Sequence, residues 1–423
     1  MKASLSIDGL SLSFILLTIL LIPTCILSSW SSIKAYHQGY LALFLLLECQ
    51  LILVFCVTDL LQFYILFESV LIPMYLMVGI WGSRSRKILA AYRLLLFTIL
   101  GSVLMLLAIL SIYYQVGTTD GLVLMSMEWS THREMFLWMA LLLAFMVKIP
   151  MVPLHLWLPE AHVEASTAGS IVLAGVLLKL GTYGMVRFLL AMIPTGLEFY
   201  RPGMITLSLL GMIHAGLTTL RQVDMKKIIA YASIGHMSMV VLGILSGTLT
   251  GLIGATSMML AHGIVSGGLF ASIGVVYERT HTRILHYYGG IVTLMPLFIV
   301  LMLVFVLANI ALPGTVAFMG ELLLLAGIFL SHPGIATLAG LGMFLCTCYT
   351  LWMFNRMSFG SISGNNSDID CNSSNVLLED VTLREFHGLG FLAFLTLWLG
   401  IQPYTYFGIF EVSLNRIMAA VLV

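Results

Sequence analysis

Residues 144–165 read AFMVKIPMVPLHLWLPEAHVEA, an apolar run that contains one lysine, three prolines, two histidines and two glutamates. Each proline removes one backbone donor and clashes with the carbonyl one turn earlier, so Pro150, Pro153 and Pro159 predict a broken helix. Lys148 lies directly beside this break. The carbonyls that we expect to lose their helical partners are those of Met146, Ile149 and His155.

The composition predicts that lipid surrounds most of the chain. The 423 residues are 60% hydrophobic and 9% charged, with a mean hydropathy of +1.06, whereas soluble domains carry roughly a quarter charged residues. Nineteen Lys and Arg balance nineteen Asp and Glu, so no charge excess favours a nucleic-acid partner. Nothing before residue 9 resembles a cleavable signal or an Arg-rich transit peptide, and we expect the first apolar run to stay in the mature protein.

The cysteines are predicted to be small buried hydrophobes rather than metal ligands or disulfides. They fall mostly inside apolar runs, without paired CxxC spacing or neighbouring histidines. The six positions are Cys25, Cys49, Cys56, Cys346, Cys348 and Cys371.

Twelve apolar runs are long enough to cross a bilayer, which takes about 20 helical residues. They lie near residues 9–27, 39–58, 60–80, 92–114, 135–157, 166–192, 203–220, 228–247, 250–276, 288–330, 334–355 and 386–410. The tenth run is too long for one straight crossing and contains Pro313-Gly314, so it predicts a second broken helix. The fold class is therefore all-α, a polytopic membrane protein with about twelve transmembrane helices.

If every run crosses once, the loops alternate between two sides and the positive charges separate. Twelve cationic residues fall on one side, which the positive-inside rule assigns to the cytoplasm or the mitochondrial matrix: Lys34, Arg84, Arg86, Lys87, Arg93, Arg221, Lys226, Lys227, Arg279, Arg283, Arg356 and Arg384. Five fall on the other: Lys2, Arg133, Arg187, Arg201 and Arg416. The polar segment 361–380 is predicted to be a mobile loop on the matrix side.

Two discontinuous helices in corresponding places predict two inverted repeats around an ion path at the membrane midplane. The expected organisation is an N-terminal helix at 1–38, a first half at 39–193, a second half at 194–358, a matrix-side polar loop at 359–385 and a C-terminal helix at 386–423. Each half has five spans, and because five is odd the two halves would insert in opposite orientations.

Eight ionisable residues lie inside the predicted spans, where each costs roughly a few kcal/mol and normally marks an ion or proton path. They are Glu48, Glu68, Lys148, Lys179, His214, His236, His262 and Glu321. Glu68 in DLLQFYILFESVLIP is expected to pair with Lys148 and to let that lysine change protonation state. Lys148, His155 and His162 recur every seven residues and would share one face of a continuous helix.

Several long motifs resemble the antiporter-like membrane subunits of respiratory complex I. They include FMVKIPMVPLHLWLPEAHVEAS, GSIVLAGVLLKLGTYGMVR, LRQVDMKKIIAYASIGHMSMV, AHGIVSGGLF and LANIALPGTVAFMGEL, in the family's order between about residues 8 and 356. The resemblance implies fourteen helices with two inverted five-helix repeats, each with a broken helix. The first span of this chain would correspond to the third helix of the family.

The resemblance also implies roles for particular residues. Glu68 and Lys148 match the family's paired glutamate and pumping lysine, and Lys179 matches the central lysine. The remaining matches are His236 and His262 on the central polar axis, Glu321 as the terminal acid, and His155, His162 and Glu164 in the broken-helix motif. Glu48 and His214 match no family position and are expected to make local polar contacts or to modify the path.

The resemblance implies that this chain translocates protons as part of an enzyme complex and that other subunits carry out the redox chemistry. We expect no cofactor or metal in this chain, with NADH, flavin, iron-sulfur clusters and ubiquinone in partner subunits. The expected partners are other membrane-arm subunits, including sister antiporter-like subunits, and the lipid bilayer. The expected location is the mitochondrial inner membrane. GLGFLA at 388–393 mimics a dinucleotide-binding pattern, but no strand precedes it.

Three other functions fit parts of the pattern. Cation/proton antiporter complexes and membrane-bound hydrogenases use the same architecture. A structural membrane-arm subunit would use the polar residues only to hold helices together, and a secondary transporter would need groups specific for a solute. Replacing Lys148 by alanine distinguishes a proton relay from a structural role.

Overall fold

The structure, a computed structural model, describes residues 4–127, 129–360 and 379–422, and almost all of these residues are helical. The helices are α1 (Gly9–Ser29), α2 (His37–Cys56), α3 (Leu60–Trp81), α4 (Lys87–Val116), α5 (Gly121–Met125), α6 (Thr131–Lys148), α7 (Trp157–Glu164), α8 (Thr167–Met192), α9 (Pro194–Leu220), α10 (Met225–Leu245), α11 (Leu249–Thr280), α12 (Ile291–Leu294), α13 (Pro296–Asn309), α14 (Val316–Ser331), α15 (Pro333–Ser358), α16 (Leu383–Ile401) and α17 (Tyr404–Leu422). Most of the predicted polar loop, residues 361–378 with Cys371, lies outside the described residues.

The predicted all-α membrane fold is confirmed. Nine of the described helices are long and apolar enough to span a membrane. Counting α6–α7, α13–α14 and α16–α17 as one crossing each gives twelve, as predicted. The last of these pairs differs from the expected single C-terminal helix, because the chain bends by 70° between Ile401 and Tyr404. Pro403 lies in that bend, where it supplies no backbone donor to continue the helix.

The two predicted halves share the same order of elements. In each half the third helix is the longest, with 30 residues in α4 and 32 in α11, and the fourth is broken. The second helix of each half begins with an aspartate that caps it. Asp59 accepts hydrogen bonds from the amides of Leu61 and Gln62, and Asp224 accepts one from the amide of Lys226. The same local signals therefore build both halves.

The breaks fall at Pro150, Pro153 and Pro313, as predicted. Pro159 instead lies in the first turn of α7 and does not interrupt it, because the amides of a first turn have no helical acceptor. Some of the freed carbonyls find new donors. The helix α6 ends at Lys148, and the next helix begins only at Trp157. The carbonyl of Met146 accepts from the amide of Met151 at 3.0 Å, and that of His155 accepts from the amide of Leu158 at 3.1 Å. These two carbonyls lose their helical partners, as predicted, but neither is left unpaired, because amides of the break and of the first turn of α7 bond to them.

The second break, between α13 and α14, replaces helical geometry by a tight turn. The amide of Leu312 bonds the carbonyl of Leu307 at 3.0 Å. Gly314 follows with a φ of 92°, a backbone conformation that favours glycine. Pro313 and Gly314 together therefore end one half-helix and start the next.

Contacts at the two ends of the bundle connect segments that the alternation of spans places on the same side. At one end of the bundle Ser31 donates to Glu278 at 2.7 Å, and Arg384 donates to Ser31 at 2.9 Å. At the opposite end Arg187 pairs with Asp8. The assignment of the first end to the matrix remains a prediction.

Three helices are enclosed by protein almost completely. In the most apolar stretch of α8, α10 and α11, 100%, 89% and 94% of the residues are buried. The corresponding share for α2, α4 and α15 is 39%, 39% and 33%, so these helices lie at the periphery of the chain. The enclosed helices carry Lys179, His236 and His262 respectively.

Candidate functional site

Lys148 is the last residue of α6, and its side chain is 3% exposed. Its ammonium donates to the backbone carbonyl of Phe67 at 3.3 Å and lies 4.3 Å from the centre of the Phe67 ring. The carbonyl, the ring face and the negative end of the helix dipole all favour a cation at this point. The break thus places a charge where the backbone can stabilise it.

Glu68, one residue along α3 from that carbonyl, is not the direct partner of Lys148. No carboxylate oxygen of Glu68 comes within ion-pair distance of the lysine, although the two charges influence each other electrostatically. The hydroxyl of Ser102 on α4, next to Glu68, donates to the carbonyl of Ile99 at 3.1 Å, and the buried Oε1 atom of Glu68 has no hydrogen-bond partner among the described residues. The predicted close pair is therefore an interaction through space, because α3 directs Phe67 rather than Glu68 at the lysine.

Lys179 lies in the centre of the molecule and is fully buried. Within α8, the segment Leu173–Leu177 just before it has π-helical geometry, which often occurs at functional sites. The ammonium contacts the carbonyl of Ala174 inside that segment and lies 2.7 Å from Nδ1 of His262. In such a contact one nitrogen donates and the other accepts. Because a lysine ammonium only donates, Nδ1 of a neutral His262 fits as the acceptor.

The path continues from His262 to Glu321 through a second histidine. The rings of His262 and His236 lie 5.6 Å apart, centre to centre. Nδ1 of His236 then lies 3.6 Å from a carboxylate oxygen of Glu321, which is 4% exposed on α14. Four titratable groups from α8, α11, α10 and α14 therefore form one continuous buried row.

A small, partly open cavity adjoins the Glu321 end of this row. Its lining residues include His236, Glu321, Cys346 and Tyr349, together with three methionines. The thiol of Cys346 lies 3.5 Å from Nε2 of His236. The prediction that this cysteine is only a small hydrophobe is therefore incomplete, because its thiol contacts a residue of the row.

The residues of the broken-helix motif do not share a face. The ring of His155 lies 5.5 Å from that of His214 on α9, whereas His162 stacks on Phe270 of α11 at 4.5 Å. Glu164 is directed to a third place, 3.9 Å from Arg283. The irregular segment between α6 and α7 changes the direction of the chain. The seven-residue spacing of the lysine and the two histidines therefore no longer places them on one helix face.

His162 is nevertheless close to the central row. Its ring is fully buried, and neither ring nitrogen has a hydrogen-bond partner among the described residues. The charges of Lys226 and Lys179 both act on it. His214 is exposed on α9, where its ring contacts that of His155, and Glu48 is partly exposed on α2.

A buried ionic cluster near the end of α7 was missed by the sequence analysis. Arg283 is fully buried, contacts the carbonyl of Val163, and lies 3.9 Å from carboxylate oxygens of Glu164 and of Asp224. Lys226, 2% exposed, donates to the carbonyl of Ala165 at 2.9 Å. Both cations had been counted among the loop charges. The cluster joins the end of the first broken helix to the second half.

Within the described residues, no group of three or more His, Cys, Asp or Glu side chains is arranged to hold a metal ion. What the row offers chemically is proton exchange between nitrogen bases and a carboxylate.

Comparisons with known proteins agree with the helical fold of the chain. Residues 57–347 match the family described as NADH:quinone oxidoreductase/Mrp antiporter, TM. The chain is 52% identical to NADH-ubiquinone oxidoreductase chain 4 of Chondrus crispus, over 95% of this chain and 80% of that protein. It is 47% identical to the chain 4 protein of Marchantia polymorpha, over 98% of this chain and 82% of that protein.

Solved structures resemble it over nearly its whole length. A chain of respiratory complex I from Thermus thermophilus with bound NADH is 30% identical, with a TM-score of 0.90 over 99% of this chain and 86% of that one. A chain of the Mrp complex from Dietzia has a TM-score of 0.87 over 99% of this chain and 86% of that one, but at 20% identity it supports the fold alone. The family predicted from the motifs is confirmed, and this chain belongs to the NADH:quinone oxidoreductase/Mrp antiporter family of membrane subunits.

Proposed function

We propose that this chain is a proton-translocating membrane-arm subunit of respiratory complex I. The observation that carries the proposal is the continuous buried row from Lys179 through His262 and His236 to Glu321. The relatives named NADH-ubiquinone oxidoreductase chain 4 support the assignment to that complex. Electron transfer from NADH to ubiquinone, with its flavin and iron-sulfur clusters, then takes place in other subunits.

In the proposed route a proton enters from the matrix side near Glu68 and Lys148. The backbone at Gly181, close to Lys179 in the central row, approaches this entrance closely: a Cβ atom added at Gly181 would lie 3.1 Å from Cβ of Lys148. The helix that carries Lys179 therefore packs directly against the end of α6. A proton that reaches Lys179 passes to His262, then to His236, and leaves through Glu321 toward the intermembrane side.

The lysines suit this work because burial makes their charge costly. An ammonium in a low-dielectric site exchanges its proton readily, whereas a guanidinium does not. Glu68 acts on Lys148 through space, so a change in the charge or position of Glu68 alters the ease with which Lys148 releases its proton. We infer that redox energy reaches the chain through such electrostatic coupling with neighbouring membrane-arm subunits in the mitochondrial inner membrane.

Replacing Lys148 by alanine in the assembled complex tests the proposal. The complex is reconstituted into liposomes, and NADH oxidation and proton uptake are measured together. We expect fewer protons moved per NADH oxidised, while the complex still assembles. Lys34→Ala, at an exposed loop position, is the control and should pump normally.

The rival structural role gives a different result. If the Lys148→Ala complex assembles and pumps as many protons per NADH as the unmodified complex, Lys148 is not part of a relay. A variant that fails to assemble is replaced by Lys148→Met, which keeps the length of the side chain without its charge.

A further inference from the structure

We propose that Cys346 is a positioning residue for His236. It determines whether the ring proton is on Nδ1, the nitrogen that faces Glu321, or on Nε2. This inference rests on the proposed function, since it assigns a role only if His236 relays protons. Cys346 lies on α15 with its side chain 8% exposed. It reaches His236 on α10 across the interface between two helices of the second half.

The two nitrogens of His236 face different partners. Nδ1 lies 3.6 Å from an oxygen of Glu321, and Nε2 lies 3.5 Å from the sulfur of Cys346. In a neutral imidazole one nitrogen donates and the other accepts. If the thiol donates to Nε2, the proton of the ring must be on Nδ1, where it points at the carboxylate. The thiol contact therefore selects the tautomer whose Nδ1 proton faces Glu321. That proton can pass to the carboxylate once the thiol has turned away and Nε2 has taken up the incoming proton in its place, which leaves the ring neutral.

Asn309 holds the thiol in place from the other side. Its side-chain amide donates to the sulfur at 3.7 Å, and the thiol is 3.6 Å from the backbone carbonyl of the same residue. The thiol therefore has two acceptors, Nε2 of His236 and the carbonyl of Asn309. When the thiol turns to that carbonyl, its sulfur is free to accept from Nε2, which favours the opposite tautomer.

The position of Asn309 connects this choice to the backbone. It is the last residue of α13, directly before the break that precedes α14. A movement of the break would shift the carbonyl relative to the thiol and so change the tautomer of His236. Cys346 carries no proton along the row in this proposal. It acts only through His236, by linking the second broken helix to the relay.

Replacing Cys346 by alanine and by serine in the assembled complex tests this role. Serine keeps a donor and an acceptor at this position, whereas alanine keeps neither. We expect Cys346→Ala to slow NADH-driven proton uptake by about three- to tenfold, the range that one neutral hydrogen bond gives, and to change its pH dependence. Cys346→Ser should restore most of the rate. Cys348→Ser, on the same helix but without a contact to His236, should pump normally.

The infrared S–H stretching band of Cys346 gives a second measurement. The band should shift when His236 is replaced by phenylalanine, because the thiol then loses one acceptor. It should disappear in the Cys346→Ser variant and stay unchanged in Cys348→Ser.

The outcomes separate this inference from the function on which it rests. If His236→Phe pumps normally, the relay itself is wrong and this role falls with it. If His236→Phe loses pumping but Cys346→Ala does not, only the positioning role is overturned. Equal losses in Cys346→Ala and Cys346→Ser, with an unshifted band, would mean that Cys346 serves packing alone.

Discussion

Nζ of Lys179 lies 2.7 Å from Nδ1 of His262, although the two residues are 83 positions apart in the chain. Both groups are buried on helices that protein encloses almost completely. Two bases in such contact hold at most one excess proton, and so one positive charge, because a second would place two unscreened positive charges side by side. The pair is thus suited to passing protons singly.

The charge of Lys179 is predicted to be insufficient for this function. Lys179→Arg keeps the positive charge, but a guanidinium stays protonated and cannot hand a proton to His262. We expect NADH-driven proton uptake to fall by about 100-fold through this chain, the lower range of general acid–base contributions. The rate of proton uptake is measured with the complex reconstituted into liposomes, and Lys34→Arg is the control. Normal pumping in Lys179→Arg would show that this lysine supplies charge rather than protons.

Glu321 is predicted to act as a proton acceptor rather than as a hydrogen-bonding group. Glu321→Gln retains the shape and one carbonyl oxygen near His236 but cannot take up a proton. We expect the complex to assemble and to move fewer protons per NADH. Glu411→Gln, at an exposed position on α17, should leave the ratio unchanged. An unaltered ratio in Glu321→Gln would remove Glu321 from the route.

Gly181 is predicted to set the approach of the two lysine-bearing helices. A Cβ atom there would lie 2.7 Å from Ile149 and 3.1 Å from Cβ of Lys148, so Gly181→Ala forces these helices apart. Overpacking of this kind costs about 1–3 kcal/mol. Gly340→Ala on α15 has open space around the new methyl group and is the matched control. Thermal stability and proton uptake should fall in the first variant only.

Arg283 is predicted to stabilise the junction between the two halves. Arg283→Met leaves Lys226 as the only cation of the buried cluster beside Glu164 and Asp224, and removing one partner of a buried pair costs about 3–5 kcal/mol. Arg356→Gln at an exposed position should cost less than about 1 kcal/mol. The two variants are compared by the thermal stability of the assembled complex. Equal stability would mean that the buried cluster contributes nothing to holding α7 in place.

Local chemistry was sufficient to predict the class of fold and both breaks. Apolar runs of bilayer length identify the spans, and the prolines at 150, 153 and 313 identify the breaks, because hydropathy and the missing proline amide are properties of single residues. Lys179, His236, His262 and Glu321 could be selected in the same way, since each is an ionisable group inside an apolar run. Their roles as a relay stay predictions.

The pairing of these groups was decided only by the tertiary structure. Lys148 contacts the carbonyl of Phe67 rather than the carboxylate of Glu68, since the direction of each side chain depends on how α3 and α6 pack. The contact of Cys346 with His236 likewise depends on the packing of α15 against α10.

Arg283 and Lys226 show most clearly the difference between what the sequence predicts and what the packing decides. By sequence both count as loop charges that set the orientation in the membrane, yet their side chains are 0% and 2% exposed. Hydropathy measures the cost of burying a residue alone, and it omits the carbonyls and carboxylates that distant segments supply. The sequence by itself therefore determined which residues enter the membrane and where its helices break, and only the tertiary structure decided which charges find partners there.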